Sequence, residues 1–300
     1  MNFRPMLAPG EDPKSFPDYF KKLKYPLLCS PKYDGIRCIV KSGHCLSRSG
    51  KILPSRQANE LFSHLKDFDG ELIEGNATDF DVYNRTQSHV MSEDKPGNLN
   101  YHVFDYTHED FLELPFYERL EHAEAIIYSY NLSNVHLVDH EHIEDYNELI
   151  NYENKCLELG FEGIMMRDPL GRYKQNRGTF KEGLIYKLKR FNDAEGIVID
   201  FVEQKENTNV QERDELGYSK RSTAKDGMLP ANTLGRFVIL YEGQELDIAP
   251  GNFNHEERKF IWDNQFTFLG KYLKFRYFAH GIKDKPRFPR AIGFRDKMDM

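Results

Sequence analysis

The densest chemistry in the sequence lies in the run Lys32-Tyr33-Asp34-Gly35-Ile36-Arg37. Pro31 restrains the backbone just ahead of the lysine, and Asp34-Gly35 supplies a tight turn at the mouth of an expected strand. A lysine presented in this way can act as a nucleophile once its amine is neutral. An ordinary lysine titrates near 10.4, so neutrality at pH 7 asks for a downward shift of about 3.4 units, or roughly 4–5 kcal/mol. Arg37 as a neighbouring cation, a bound divalent metal or a desolvated pocket would each push in that direction. Taken alone, the hexapeptide would read equally well as a surface lysine beside an Asp-Gly turn.

A second signal is Ile185-Tyr186-Lys187-Leu188-Lys189, where strand alternation puts both lysines on one face and Tyr186 and Leu188 on the other. Two ammonium groups on one face repel unless an anion lies between them, and a phosphate is the natural candidate; a solvated edge strand is the plain alternative. Carboxylates stand at expected strand starts in Asp69-Gly70-Glu71-Leu72 and in Glu162-Gly163-Ile164-Met165-Met166-Arg167. Few carboxylates, joined by phosphate oxygens and water, are how proteins commonly hold Mg²⁺. Phe104, within Tyr101-His102-Val103-Phe104-Asp105, offers a stacking plate for a base or an ordinary core ring. His136, His140 and His142 lack a completing ligand framework and read as surface histidines. Cys38, His44 and Cys45 read as packing residues, and Trp262 as core or domain-interface packing.

These groups need elements to position them. Ile36 to Val40, Ser42-Gly43 and His44 to Ser49 read as a hairpin, and Leu53 to Phe68 carries helical spacing. Strands are expected at Gly70 to Ile73, Tyr101 to Tyr106, Val135 to Val138, Gly163 to Arg167 and Leu184 to Phe191, and helices at Pro115 to Tyr130 and Ile143 to Leu159. After Phe191 the texture changes to apolar runs such as Ile197 to Val202 and Phe237 to Tyr241, which suggests a small barrel. His255 to Phe266 reads as a helix and Lys271 to Phe278 as a basic strand, while Gln204 to Ala231 reads as a long polar excursion. The domain joint falls near Arg190 to Asn192.

With 300 residues, two domains are expected, and 39% hydrophobic against 30% charged residues describes a globular chain with real cores. No apolar run approaches the roughly 20 residues of a membrane span, and Met1 to Gly10 lacks a leader pattern, so a cytoplasmic setting, host cytoplasm if viral, is expected. Four cysteines without a Cys-x-x-Cys pair argue against a zinc ribbon and fit a reducing compartment. The net charge of −7 conceals segregation. Lys271 to Lys297 holds nine bases against two acids and Arg172 to Arg190 seven against one, both inviting a polyanion, whereas Asp105 to Glu158 is almost wholly acidic and reads as a solvated face.

The order of Lys32 to Arg37, Ser47-Arg48-Ser49-Gly50, Asp69 to Leu72, Tyr101 to Asp105, Glu162 to Arg167 and Ile185 to Lys189 resembles the covalent nucleotidyltransferase superfamily. Within it the chain is most similar to the small bacteriophage-type ATP-dependent DNA ligases. Pro5-Met6-Leu7-Ala8 and the tail Arg287-Phe288-Pro289-Arg290 through Phe294-Arg295-Asp296-Lys297 extend the likeness over nearly the whole chain. The resemblance implies an α+β fold. An N-terminal nucleotidyltransferase domain, ATP-grasp-like with antiparallel sheets and flanking helices, would span residues 1–190, and a C-terminal OB-fold β-barrel for DNA binding residues 191–300.

It also implies that Lys32 attacks the α-phosphate of ATP, with Mg²⁺ or Mn²⁺, to form lysyl-AMP. AMP then moves to a DNA 5′-phosphate, and attack by the 3′-hydroxyl seals the nick. By the same likeness Arg37 and Arg48 contact ribose or the nick phosphate, Phe104 stacks on adenine, and Glu71 and Glu162 serve the ribose and the metal. Lys187 and Lys189 hold the α-phosphate as charge develops. The basic terminal strand would track the DNA backbone or, in another orientation, bring Arg295 and Lys297 onto the leaving pyrophosphate, although Arg295-Asp296-Lys297 departs from the Arg-x-Asp-Lys of many relatives. The implied partners are nicked duplex DNA and ATP, with no membrane and monomeric action. Rival readings are an RNA ligase, an mRNA guanylyltransferase and a non-catalytic OB-type DNA-binding protein.

Overall fold

Apolar alternation fixes which face of each strand is buried. In Leu99–Tyr106 the residues Leu99, Tyr101, Val103 and Asp105 are buried, and His102 and Phe104 turn to the other face. The computed structural model describes residues 3–10, 18–213, 219–222, 224–278 and 285–295. The chain divides into two compact units, Met1–Arg190 and Phe191–Met300.

The first unit carries strands β1 (Met6–Leu7), β2 (Leu27–Pro31), β3 (Ile36–Lys41), β4 (His44–Leu46), β5 (Phe68–Glu74), β6 (Leu99–Tyr106), β7 (Val135–Leu137), β8 (Glu141–Ile143), β9 (Gly163–Arg167), β10 (Asn176–Arg177) and β11 (Ile185–Lys189). One sheet runs β4-β3-β5-β6-β7, antiparallel except for the parallel β6–β7 pair, and a second, antiparallel sheet runs β11-β9-β2-β8. The short pair β1–β10 is parallel. The helices are α1 (Asp18–Lys21), α2 (Arg56–Phe62), α3 (Val82–Val90), α4 (Phe116–Tyr130) and α5 (Tyr146–Glu158).

Each sheet has its own core. Phe62 of α2 and Ala123 of α4 pack with Phe68, Leu72, Tyr101 and Val103, and Leu149, Tyr152 and Cys156 of α5 pack with Leu27, Ile164, Met166 and Leu188. All four cysteines are buried thiols; Cys38 and Cys45 are packing residues, but His44 is exposed.

Two helical expectations shorten for local reasons. Ser55 caps α2 by accepting from the Ala58 amide, the helix ends at Phe62, and Asp67 at φ 66° turns the chain into β5, so Leu53 to Phe68 is not one helix. Ile143 is taken by β8, and the Asp145 carboxylate caps α5 by accepting from the Asn147 and Glu148 amides. Leu184 to Phe191 likewise divides: β11 stops at Lys189 and a new strand begins at Asn192.

The second unit has β12 (Asn192–Asn207), β13 (Gln211–Arg213), β14 (Ser219–Arg221), β15 (Met228–Tyr241), β16 (Gln244–Ile248), β17 (Tyr272–Phe278) and β18 (Arg287–Phe294), with α6 (His255–Asp263) and α7 (Gln265–Phe268). Its antiparallel sheet runs β16-β15-β12-β17-β18, and a bridge from Ala249 to Arg290 joins the two edges. The expected excursion Gln204 to Ala231 is largely ordered pairing: β12 and β15 continue into it as far as Asn207 and Met228, and β13 and β14 form a further hairpin. Asn264 breaks the expected single helix into α6 and α7. Trp262 packs against the core of this unit. Among the described residues no helix is long and apolar enough to cross a membrane.

Candidate active site

Lys32 directly follows β2, and its place is set by backbone pairing: its amide donates to the Gly163 carbonyl at 2.8 Å and its carbonyl accepts from the Glu162 amide. Gly163 has φ 148°, and a Cβ there would collide with the Leu188 carbonyl oxygen. Only glycine therefore lets β9 seat Glu162 between β2 and β11. Gly35 serves close approach as well, since a Cβ would run into the Leu72 carbonyl oxygen of β5.

These contacts bring Lys32, Glu162 and Lys189 together. The Lys32 ammonium donates to Glu162 Oε2, and Lys189 Nζ donates to Glu162 Oε1 at 3.2 Å. The Lys32 side chain is 23% exposed and that of Glu162 only 7%. Burial would raise the Glu162 carboxyl, but Lys32 and Lys189 overcome it and hold the group down at about 2. Burial first, then Lys32 and Lys187, lower Lys189 to about 8 against the support of Glu162.

The neutral Lys32 amine expected from the sequence is corrected in this state. Burial does favour the neutral form, but Glu162, with Glu71 and Asp34 adding to it, outweighs burial and lifts the amine above its ordinary range. Arg37, the cation expected to lower it, is committed elsewhere: Nε and Nη2 donate to the two Asp69 oxygens at 2.5 Å each. Asp69 also accepts from the Tyr173 hydroxyl at 2.6 Å, so it is a buried anchor for both side chains.

A cleft of about 270 Å³ in the first unit is lined by Lys32, Arg37, Arg48, Glu71, Phe104, Lys187 and Lys189. Arg37 and Glu71 are paired across β3 and β5, and Phe104 lies on β6 with the Arg37 guanidinium 4.5 Å from its ring. Burial raises Glu71 to about 7, against Arg37 and Lys32. Lys187 and Lys189 share a strand face while Tyr186 and Leu188 are buried, as alternation requires, and Lys187 Nζ donates to the Gly10 carbonyl at 3.2 Å. Arg48 is exposed in the turn after β4. Arg295 belongs to the second unit, where it pairs with Glu195 at 2.9 Å; Lys297 lies outside the described residues.

Several cleft residues were missed by sequence reasoning. Arg167 and His140 line the cleft, as do Arg177 and the Met6–Ala8 segment. His140 therefore departs from the surface reading, whereas His136 and His142 are exposed. The acidic stretch is not wholly a solvated face. Asp105 is fully buried between Arg119 (Nε to Oδ1, 2.8 Å) and Arg167 (Nη1 to Oδ2, 2.6 Å), and buried Glu153 holds Arg190. The basic runs are also partly neutralised, with Lys274 and Arg276 on Asp193 and Lys174 on Glu182.

Residues 5–189 match the family model described as ATP dependent DNA ligase domain. The DNA ligase of African swine fever virus, isolate Pig/Kenya/KEN-50/1950, is 26% identical over 113 residues, which is 37% of this chain and 27% of the viral protein. The match thus spans about a quarter of that relative. The crystal structure of Chlorella virus DNA ligase-adenylate aligns over 99% of both chains at 30% identity with a TM-score of 0.55. A Lig E DNA ligase shares the fold at 18% identity, with a TM-score of 0.68 over 90% of this chain and 92% of its own. Fold and relatives define a member of the covalent nucleotidyltransferase superfamily. Within it, the chain belongs to the ATP-dependent DNA ligase family.

Proposed function

We propose that the chain seals nicks in duplex DNA by way of a lysyl-AMP intermediate. The observation that carries this reading is the convergence of Lys32, Glu162 and Lys189 beside a cleft that also holds Arg37, Glu71, Phe104 and Lys187. The Lys32 amine loses a proton and attacks the α-phosphorus of ATP; the N–P bond forms, the α–β bridging P–O bond breaks, and pyrophosphate leaves. A DNA 5′-phosphate oxygen then displaces Lys32 from the adenylate, and the adjacent 3′-hydroxyl displaces AMP from the DNA.

Lys187 and Lys189 hold the α-phosphate as its charge grows, and Phe104 stacks on the base. Arg37 and Arg48 face the ribose or the nick phosphate, and Glu71 the ribose. Among the described residues no three His, Cys, Asp or Glu side chains gather to cage a metal. Two carboxylates fit a Mg²⁺ ion that brings most of its ligands as phosphate oxygens and water. Glu71 and Glu162 would hold that ion, which would supply charge neutralisation at the phosphates.

In the second unit the sheet order β16-β15-β12-β17-β18, the bridged edges and the helices α6 and α7 between β16 and β17 favour an OB-fold barrel. We assign it DNA binding and assign the first unit adenylation. Incubation with labelled ATP and Mg²⁺, then with nicked duplex DNA or RNA, tests the reading. Label on the protein that passes to DNA and yields a sealed strand is expected. Transfer from GTP alone, or sealing of RNA alone, would overturn it.

A further inference from the structure

One cleft side chain has its hydrogen-bonding state fixed by the fold. His140 lies between β7 and β8, and its Nδ1 is 2.8 Å from the Val138 carbonyl oxygen. A carbonyl only accepts, so Nδ1 carries the hydrogen and Nε2 presents a lone pair. Among the described residues no group donates to Nε2. The ring is held edge-on to Phe116 at 5.2 Å, and the Val138 amide ties the segment to the Val103 carbonyl of β6 at 2.7 Å. Burial first, and Arg167 second, lower the imidazole to about 4, which keeps the ring neutral at pH 7.

Position decides what this lone pair can meet. The β2–β8 ladder sets Cys29 opposite Glu141, so Ser30 and His140 occupy the next step, and both line the cleft together with Phe104 and Met165. We infer that His140 is a specificity-determining residue, its Nε2 accepting a hydrogen bond from the 6-amino group of the adenine stacked on Phe104. Guanine would offer the O6 acceptor at that point, leaving two acceptors opposed in a desolvated site. The inference rests on the ATP reading given above and adds the group that reads the base.

The test follows single-turnover formation of the protein–nucleotide adduct with ATP, GTP and purine riboside 5′-triphosphate, which carries hydrogen in place of the 6-amino group. The wild-type chain should favour ATP over the purine analogue by about five- to tenfold, the worth of one neutral hydrogen bond. It should favour ATP over GTP by roughly a hundredfold or more. His140→Phe should bring the ATP-to-analogue ratio close to one by slowing ATP alone, and His140→Gln, whose amide oxygen accepts, should restore part of the preference. An unchanged ratio in His140→Phe would overturn the inference, as would equal use of ATP and the analogue by the wild-type chain, which needs no variant to fold. A wild-type chain that forms no adduct with any nucleotide would instead sink the ligase reading.

Discussion

Glu162→Gln removes the carboxylate that Lys32 and Lys189 share. At the 3.2 Å of the Lys189 contact, a pair of unit charges attracts by about 5 kcal/mol at an effective dielectric of about 20, before desolvation is subtracted. The titration of the carboxyl gives the net figure: a fall from 4.5 to about 2 is worth roughly 3 kcal/mol. The two ammonium groups share this stabilisation, so each stays protonated to higher pH than it would without the carboxylate. Lys32 must be deprotonated to attack, so a raised amine makes adduct formation climb with pH, and its loss of Glu162 moves that climb downward. The assay is single-turnover adduct formation from about pH 8 to about pH 11, quenched with detergent and a chelator because a phosphoramidate hydrolyses in acid. Glu162→Gln should move the climb to lower pH and lower the rate at which it levels off, because the amine also loses its orienting partner. An apparent pKa that is unchanged, or displaced upward, would refute the assignment of Glu162 as the group that holds Lys32 protonated.

Two packing predictions bear on the scaffold. Gly163→Ala forces a Cβ against the Leu188 carbonyl at φ 148°, and chemical denaturation should record a loss of about 2–4 kcal/mol; full stability would contradict the described pairing of β9 with β11. Asp105→Asn leaves buried Arg119 and Arg167 without their shared counter-charge and should cost about 3–5 kcal/mol by the same measurement, whereas a neutral result would mean the triad is not closed as described.

What the sequence makes legible is what depends on neighbours along the chain. The period of two in Ile185–Lys189 suffices to put Lys187 and Lys189 on one face, whereas Phe104 reads as stacking plate or core ring until β6 sets it on the face opposite the buried Tyr101 and Val103. The electrostatic state of Lys32 is not local. It depends on Glu162, 130 residues away, delivered by pairing of β2 with β9, and on Asp69 withdrawing the charge of Arg37. The burial of Asp105 among arginines is hidden for the same reason, since its partners come from α4 and β9 while composition alone reads the stretch as solvated. His140 carries no sequence signal, because its tautomer is set by a carbonyl two residues earlier and its place by the β2–β8 ladder. The shortened helices follow from caps at Ser55 and Asp145, which the spacing of apolar residues does not encode.

Peptide mapping by mass spectrometry, after exposure of the chain to ATP and Mg²⁺, measures the central claim most directly. The account predicts one adenylate, bonded through phosphorus to Lys32, lost from a Lys32→Ala chain of unchanged unfolding temperature and discharged from the wild type by nicked duplex DNA. An adenylate on another side chain, or one that persists in Lys32→Ala, would contradict it.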